Sequence, residues 1–288
     1  MNNNEINIIR DIEYVKTILN YSDEDLAEFF DVSRMTLSRW KRNDFKANKD
    51  SLEKIYNRIY TRGIYLNSLK EEMYKSLENK DTLILFHGAK KDLIGKPSIK
   101  YSEGKKDFGK GFYLGESVRQ SISFVSVYDN PSLHVFKFNK RNVKIKEFSV
   151  SRDWMLLIAY YRGKIEEYKN SIKLQKLIKE LEDVDVIIAP IADNTMYSIL
   201  SNFIDGTITD EQCLNALTTN RLGKQYVFLN DKIINNNLQL LDKCYICEEE
   251  KRDINTQTIK DTKTGKAKVK LALREYAGKG KYIEEILK

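Results

Sequence analysis

The chain has 288 residues, of which 41% are apolar and 32% charged, so a folded protein of one large or two moderate domains is favoured over a disordered chain. Lysine and arginine outnumber aspartate and glutamate by 49 to 42, and the resulting charge of +7 permits an anionic partner without requiring one. No apolar stretch reaches the ~18 residues of a membrane span, and no signal peptide is evident, so we expect a cytoplasmic protein without membrane association.

The cysteines and histidines are few. Cys244 and Cys247 form a CxxC pair, but no second pair of Cys or His follows that would complete a zinc site. Ordinary packing is the preferred interpretation of this pair, and a redox or metal role is the alternative. We therefore expect no metal cofactor.

Apolar residues recur at helical spacing through the first 78 residues, which predicts an all-helical segment. Two N-cap residues, Ser22 and Ser33, predict two short helices separated by a turn through Asp31 and Val32. A further helix is expected near residues 52–59, and a linker helix closes the segment.

Short apolar runs separated by helical patterns predict an α+β fold for the rest of the chain. The first run ends in a turn at His87-Gly88. Strands are expected at residues 82–86, 133–138, 184–190 and 225–229. The lysine-rich tail alternates briefly at residues 266–273, which suggests an edge strand or a segment that folds only with a partner. We expect a helical domain and linker at residues 1–78, a sheet domain at 79–242 and a basic tail at 243–288.

Residues 25–43 resemble the helix-turn-helix of phage-repressor-like regulators, with the inward positions of that motif occupied by Leu26, Ala27, Val32, Leu37 and Trp40. The resemblance implies DNA binding in which Arg34, Met35 and Arg39 meet base edges. Arginine suits this role because its fork can bind O6 and N7 of guanine together. The alternative is a helical hairpin used for protein contacts or dimerisation.

A second pattern pairs His87-Gly88 with a glycine-bearing run about twenty residues later, Asp-Phe-Gly-Lys-Gly-Phe-Tyr-Leu-Gly at residues 107–115. The pair resembles the diphtheria-toxin and poly(ADP-ribose) polymerase branch of ADP-ribosyltransferases, whose first two signature residues are His and Tyr. The resemblance implies a split β-sheet domain that uses NAD⁺ as substrate. His87 would bond the 2′-OH of the nicotinamide ribose, and Gly88 would hold the carboxamide. Tyr113 would stack on the nicotinamide ring, Phe112 would support the ring of Tyr113, and Gly111 would also belong to the NAD⁺ site.

The third signature residue of that branch is normally a glutamate at the start of a later strand, and Gln225 stands at the matching position. A glutamine can hydrogen-bond the ribose but cannot act as a general base, so polymer elongation is not expected. Asp107 or Glu116 could supply the missing charge, although capping and solvent exposure are the preferred interpretation. Lys110 and Arg119 could meet the pyrophosphate, with a solvated helix face as the alternative for Arg119.

The order of these motifs also resembles a bacterial family catalogued as a domain of unknown function, over about residues 82–230. The matching features include a strand like residues 185–194 and a Gln-x-x-Phe pattern at residues 225–228, which implies that the glutamine is a family trait. Members are thought to be ADP-ribosyltransferase-like and to neighbour antitoxin-like genes. The resemblance thus implies a toxin or phage-defence role, with an antitoxin protein among the partners. Asp193 and Asn194 could serve the acceptor or cap the next helix.

The main hypothesis is therefore an NAD⁺-dependent mono-ADP-ribosyltransferase that acts on a nucleic acid or protein. The alternative is a non-enzymatic DNA-binding transcriptional regulator whose C-terminal domain senses NAD⁺ or a partner, and the neutral Gln225 favours it. Release of nicotinamide that depends on Tyr113 distinguishes the two.

Overall fold

The computed structural model describes residues 5–42, 48–93, 95–192, 194–219 and 223–288, and shows a mixed α+β protein in which a helical region precedes the strands. The helices are α1 (Ile8–Leu19), α2 (Asp23–Phe29), α3 (Arg34–Lys41), α4 (Lys49–Thr61), α5 (Leu66–Lys75), α6 (Val118–Ser123), α7 (Arg152–Tyr161), α8 (Ile172–Lys179), α9 (Asn194–Ile204), α10 (Asp210–Thr218), α11 (Asp231–Asn237), α12 (Glu248–Glu275) and α13 (Ile283–Leu287). The strands are β1 (Thr82–Ala89), β2 (Phe112–Gly115), β3 (Ser132–Asn139), β4 (Ile145–Glu147), β5 (Val186–Pro190), β6 (Lys224–Phe228) and β7 (Leu238–Cys244). None of the helices in these ranges is long and apolar enough to cross a membrane.

The chain forms two compact units, and neither is continuous in sequence. Unit 1 comprises residues 1–94, 117–139 and 239–256, and unit 2 comprises residues 95–116, 140–238 and 257–288. The sequence analysis divides the chain into three consecutive segments instead. Composition shows where a helical pattern stops, but it does not show which earlier element a late strand joins.

The N-terminal part of unit 1 is all helical, as predicted. Ser22 forms a capping box with Asp25 at the start of α2, and the Ser33 side chain caps α3. Asp31 adopts a left-handed conformation (φ 54°) in the turn between these helices, which an aspartate tolerates better than most side chains. Leu37 and Trp40 on α3 are buried in the apolar cluster that α1, α2 and α4 share.

A buried lysine ties this helical part to the late strand β7. The ammonium of Lys70, on α5, lies 2.6 Å from Oδ1 of Asp11 and 3.4 Å from Oδ2 of Asp242, and Lys70 is only 2% exposed. Tyr56 donates a further hydrogen bond to Asp11, with the oxygen atoms 2.7 Å apart. Helix α5 is therefore part of the packed interior of unit 1.

The strands of unit 1 lie in the order β1-β3-β7, and β1 and β3 are antiparallel. The register pairs His87 with His134 and Gly88 with Leu133. The predicted turn at His87-Gly88 is therefore wrong, because β3 continues as a partner for β1 as far as Ala89. A histidine followed by glycine often ends a strand, but here both residues lie inside the pairing of β1 with β3.

The strands of unit 2 lie in the order β4-β5-β6-β2, with β4 parallel to β5 and the other two pairs antiparallel. Residues directly opposite in the register share a face of the sheet, and Tyr113 pairs with Val227 while Gly115 pairs with Gln225. Tyr113, Val227 and Gln225 thus share one face. The main apolar core of the unit, to which α7, α9 and α10 all contribute, lies against Val227 and Tyr113 on that face.

The lysine-rich tail forms the 28-residue helix α12, so the edge strand suggested for residues 266–273 is wrong. Val269 and Ala272 are three residues apart and both are buried in the core of unit 2. That spacing places them on one face of the helix. The brief alternation of lysine with small apolar residues therefore belongs to a helix and not to a strand.

Candidate active site

The amide of Gln225 has a fixed orientation. Its nitrogen Nε2 donates to the Asp107 carboxylate (Oδ2 at 2.8 Å) and to the Pro190 carbonyl oxygen (3.1 Å). An ionised carboxylate and a carbonyl can only accept hydrogen bonds, so the NH₂ group of the amide must face them. The partners thus settle which end of the amide is nitrogen and which is oxygen. Oε1 accepts no hydrogen bond within the described ranges, so this oxygen is the acceptor that Gln225 can offer to a ligand.

Arg162 holds the same carboxylate from the other side. Its Nε and Nη2 lie 2.8 and 2.5 Å from Oδ1 of Asp107, and Nη2 also donates to the Ala192 carbonyl oxygen at 3.1 Å. The guanidinium lies over the ring of Tyr197, 3.9 Å from its centroid, in a cation–π contact. Each oxygen of Asp107 is thus committed, and the charge that the sequence analysis considered for catalysis is balanced by Arg162.

Tyr113 stabilises the glycine-bearing loop that precedes it. Its hydroxyl donates to the Gly109 carbonyl oxygen (2.9 Å) and accepts from the Phe108 amide (3.1 Å). Burial raises the pKa of this hydroxyl well above its usual value, so Tyr113 is neutral at physiological pH. A Cβ at Gly111 would lie 2.7 Å from a methyl group of Val227, which explains why no side chain fits there. The ring of Tyr113 is therefore held at a defined place.

The other residues singled out around this loop are placed differently. Phe112 is buried on the face opposite to Tyr113, so it does not support that ring as the resemblance implies. Glu116 accepts a hydrogen bond from the Lys224 amide (3.1 Å). Lys110 is exposed. Asp193 lies outside the described residues, and α9 begins at Asn194.

The two histidines face each other across β1 and β3 in unit 1, but their environments differ. His134 is buried, its Nε2 lies 2.8 Å from the Ser132 hydroxyl, and burial lowers its pKa to about 3. His134 is consequently neutral at physiological pH. His87 is half-buried, so it is the histidine that a ligand can reach.

Gly88 is required for packing. A Cβ at this position would lie 2.2 Å from the carbonyl oxygen of Ser121 and 3.0 Å from a methyl group of Val125, because α6 crosses β1 there. Ser121 also donates to the Phe86 carbonyl oxygen at 3.1 Å. Arg119, on the same helix, is exposed, which fits a position on the solvated helix face.

The predicted base-contacting residues of α3 are all on its outer side. Arg34, Met35 and Arg39 are exposed, and Met35 retains 64% of its accessible surface. Arg34 forms an exposed ion pair with Glu24 of α2, with Nη2 and Oε1 2.5 Å apart. Arg39 forms no ion pair within the part of the chain that the structure describes, and it is exposed on a different side of α3 from the buried Leu37.

Arg162 and Tyr197 were missed by sequence reasoning. Arg162 caps the C-terminus of α7, where an arginine is commonplace, and Tyr197 is one of 17 tyrosines, so neither carries a local signal. Cys244 and Cys247 are buried free thiols, and burial raises the pKa of Cys247 to about 12. Within the described ranges no group of three or more His, Cys, Asp or Glu side chains could hold a metal ion.

Comparison with known proteins identifies one family. No curated protein and no solved structure matches the chain. A family model described as "Protein of unknown function (DUF3990)" matches residues 83–240, which contain both the His87 strand and the Gln225 cluster. Since the match spans more than half of the sequence, the chain belongs to the DUF3990 family.

Proposed function

We propose that the protein is an NAD⁺-dependent mono-ADP-ribosyltransferase that acts on a nucleic acid or protein, with an ADP-ribosyltransferase-like split β-sheet in the family region. One observation carries the proposal. Both hydrogens of the Gln225 amide face groups that only accept, so its oxygen is left as an acceptor for a ligand hydroxyl. A glutamate at this position in the resembled enzymes would offer a ribose hydroxyl the same kind of oxygen.

The reaction breaks the bond between C1′ of the ribose and the nicotinamide nitrogen, and the nicotinamide leaves with the bonding electrons. Gln225 accepts a hydrogen bond from a ribose hydroxyl and so fixes the sugar while positive charge develops on it. Tyr113 stacks on the nicotinamide, and His87 bonds the 2′-OH, as the resemblance implies. Asp107 and Arg162 act as positioning residues, because they fix the amide without touching the ribose. The acceptor then attacks C1′ and loses its proton.

Release of nicotinamide from NAD⁺ tests this proposal. We expect His87→Ala and Gln225→Ala to reduce the rate on the order of a hundredfold, since both misplace the ribose. Tyr113→Phe keeps the ring and should retain most of the rate. Tyr113→Ala removes the stacking surface and should not, although its fold must be checked because Tyr113 packs against the core. Equal rates in the wild type and all variants would contradict the assignment.

The acceptor is identified by labelling. Wild-type protein, radiolabelled NAD⁺ and either nucleic acid or a protein extract should yield a labelled macromolecule, and intact mass should show single ADP-ribose additions.

We also propose the toxin or phage-defence role that the family resemblance implies. Expression of the wild type should then arrest growth, and expression of His87→Ala should not. Co-expression of the antitoxin that the resemblance implies should relieve the arrest.

A non-enzymatic DNA-binding transcriptional regulator is the second candidate. The exposure of Arg34, Met35 and Arg39 on α3, opposite its buried face, favours it. Arg39→Ala should weaken binding to a promoter duplex by roughly 1–3 kcal/mol and relax one base preference. Arg62→Ala, which removes an equally exposed arginine after α4, is the matched control. If no duplex from the native promoter binds above background, the hairpin makes protein contacts instead.

A further inference from the structure

The part of α12 that belongs to unit 2 has two chemically distinct faces. Val269 and Ala272 are buried against the core of the unit. The other side carries a row of exposed cations, which we call the basic face, formed by Lys260, Lys263, Lys266, Lys270 and Arg274.

The basic face is continuous. Its members are three or four residues apart, so at 100° and ~1.5 Å per residue they lie within an arc of ~120° and extend over about 21 Å of helix. The acidic residues of this segment, Asp261 and Glu275, fall outside that arc. None of the five cations has an ion-pair partner among the residues that the structure describes.

Such a row destabilises an isolated helix, because cations spaced by three or four residues repel one another. Some exposed lysines of the same unit do have carboxylate partners, as Lys146 does with Glu180 and Lys224 with Glu147. The basic face therefore has a charge that no neighbouring carboxylate of the described residues balances and that an anionic partner would.

We propose that the basic face binds the phosphate backbone of a nucleic acid. Successive cations rise about 4.5–6 Å along the helix, which suits a polyanion that carries a phosphate every ~3.4 Å per strand. A protein partner fits less well. Lysine is depleted and aromatic residues are enriched in protein interfaces, whereas four of the five cations are lysines and residues 257–275 contain no aromatic residue.

Backbone contacts of this kind bind without reading sequence, so this surface is distinct from α3, for which base contacts are proposed. It also does not depend on NAD⁺ chemistry. A nucleic acid held by α12 would be available as the acceptor of ADP-ribose, but binding itself requires neither Gln225 nor Tyr113. Failure of the proposed transferase activity therefore leaves this inference standing, and the reverse also holds.

The test is binding of a fluorescent 20-bp duplex of arbitrary sequence to the full chain, measured by anisotropy over a range of salt concentrations. All variants carry Arg39→Ala, so that α3 contributes equally little to each. The test variant is Lys263→Gln, Lys266→Gln and Lys270→Gln together, which removes three charges and keeps good helix formers. The matched control removes three exposed lysines of unit 2 on or near α8, as Lys169→Gln, Lys176→Gln and Lys179→Gln.

We expect the test variant to bind at least tenfold more weakly near physiological salt. Its plot of log K against log salt concentration should be shallower by about 2.7, at roughly 0.9 for each lost phosphate contact. The control should change neither quantity by more than a small amount, and a Lys→Arg version of the test variant should bind like the parent. Circular dichroism checks that α12 still forms.

Three outcomes would overturn the inference. Equal weakening by the test and control variants would show an effect of net charge alone. An unchanged salt dependence in the test variant would show that these lysines do not contact phosphates. Displacement of the duplex by poly-glutamate at the same charge concentration would indicate an acidic protein as the partner.

Discussion

The carboxylate of Asp107 accepts a hydrogen bond from the side-chain amide of Gln225, with Oδ2 and Nε2 2.8 Å apart. Both side chains are buried, and a neutral hydrogen-bond donor faces a negatively charged acceptor. A carboxylate at position 225 would place two negative charges in contact, and only one arginine, Arg162, is there to balance them. The glutamine at the third signature position thus goes together with an aspartate at position 107.

We therefore expect Gln225→Glu to destabilise the fold at pH 7 by roughly 3 kcal/mol, the cost of an uncompensated buried charge. Asp107→Asn in the same chain should restore most of that stability, because an amide again faces a carboxylate. Urea unfolding of the two single variants and the double variant gives the coupling energy. Additive effects would show that the pair does not interact. Glu116→Gln, which alters the other acidic residue near the loop, is the control.

Gly88→Ala should destabilise the protein by about 3 kcal/mol or more, because the new methyl group meets a backbone carbonyl oxygen that cannot rotate away. Ser121→Ala keeps that carbonyl and loses only a side-chain hydrogen bond, so its cost should be near 1 kcal/mol. Thermal unfolding measures both. A Gly88→Ala variant that is stable but does not turn over NAD⁺ would indicate instead that the backbone here contacts the substrate.

Lys70→Met should cost about 3–5 kcal/mol, since the two buried carboxylates that Lys70 contacts would lose one of the two cations that pair with them and keep Arg10. Lys75→Met is the matched control, because Lys75 forms only a partly exposed pair with Glu71. Its effect should stay within about 0.5 kcal/mol. Equal losses for the two variants would exclude a special role for the buried cluster.

Glu250 should make the protein less stable as the pH rises from acidic to about 8. Burial raises the pKa of its carboxyl from 4.5 to about 8. A raised folded-state pKa gives stability that is complete below the unfolded pKa and is lost as pH rises through the folded one. The free energy of unfolding should thus fall between pH ~4.5 and ~8, and Glu250→Gln should flatten that decline. Unfolding in urea at several pH values measures it, with Glu249→Gln as the control. An unchanged slope in Glu250→Gln would assign the decline to another group.

The elements that sequence reasoning found are those with a strong local pattern. The helical start of the chain is confirmed. The strands β3, β5 and β6 are also confirmed, and their observed ends differ from the predicted ends by no more than two residues. The short β2 and β4 and the late β7 were missed, because strands of three or four residues are too short to show an alternation and β7 carries charged residues that are buried by distant partners. Pairing with strands far away in the sequence decides all three.

The candidate site was predictable only in part. Tyr113 and Gln225 were found because a family resemblance singled them out, and the structure places them on one face of unit 2. Asp107 was considered as a source of charge, but its bond to Gln225 crosses 118 positions of sequence and leaves no local trace. Arg162 reaches Asp107 from a helix end across 55 positions, which likewise leaves no local trace.

Unit 1 draws its last residues, 239–256, from beyond most of unit 2. A chain growing on a ribosome therefore makes its N-terminal helices long before it makes Asp242, the carboxylate that Arg10 and Lys70 share. Until about 170 further residues have been added to the 70 already made, those helices hold the two cations Arg10 and Lys70 against the one carboxylate of Asp11. Contacts so distant in sequence slow folding, so the N-terminal domain should acquire full protease resistance only after the strand β7 has left the ribosome.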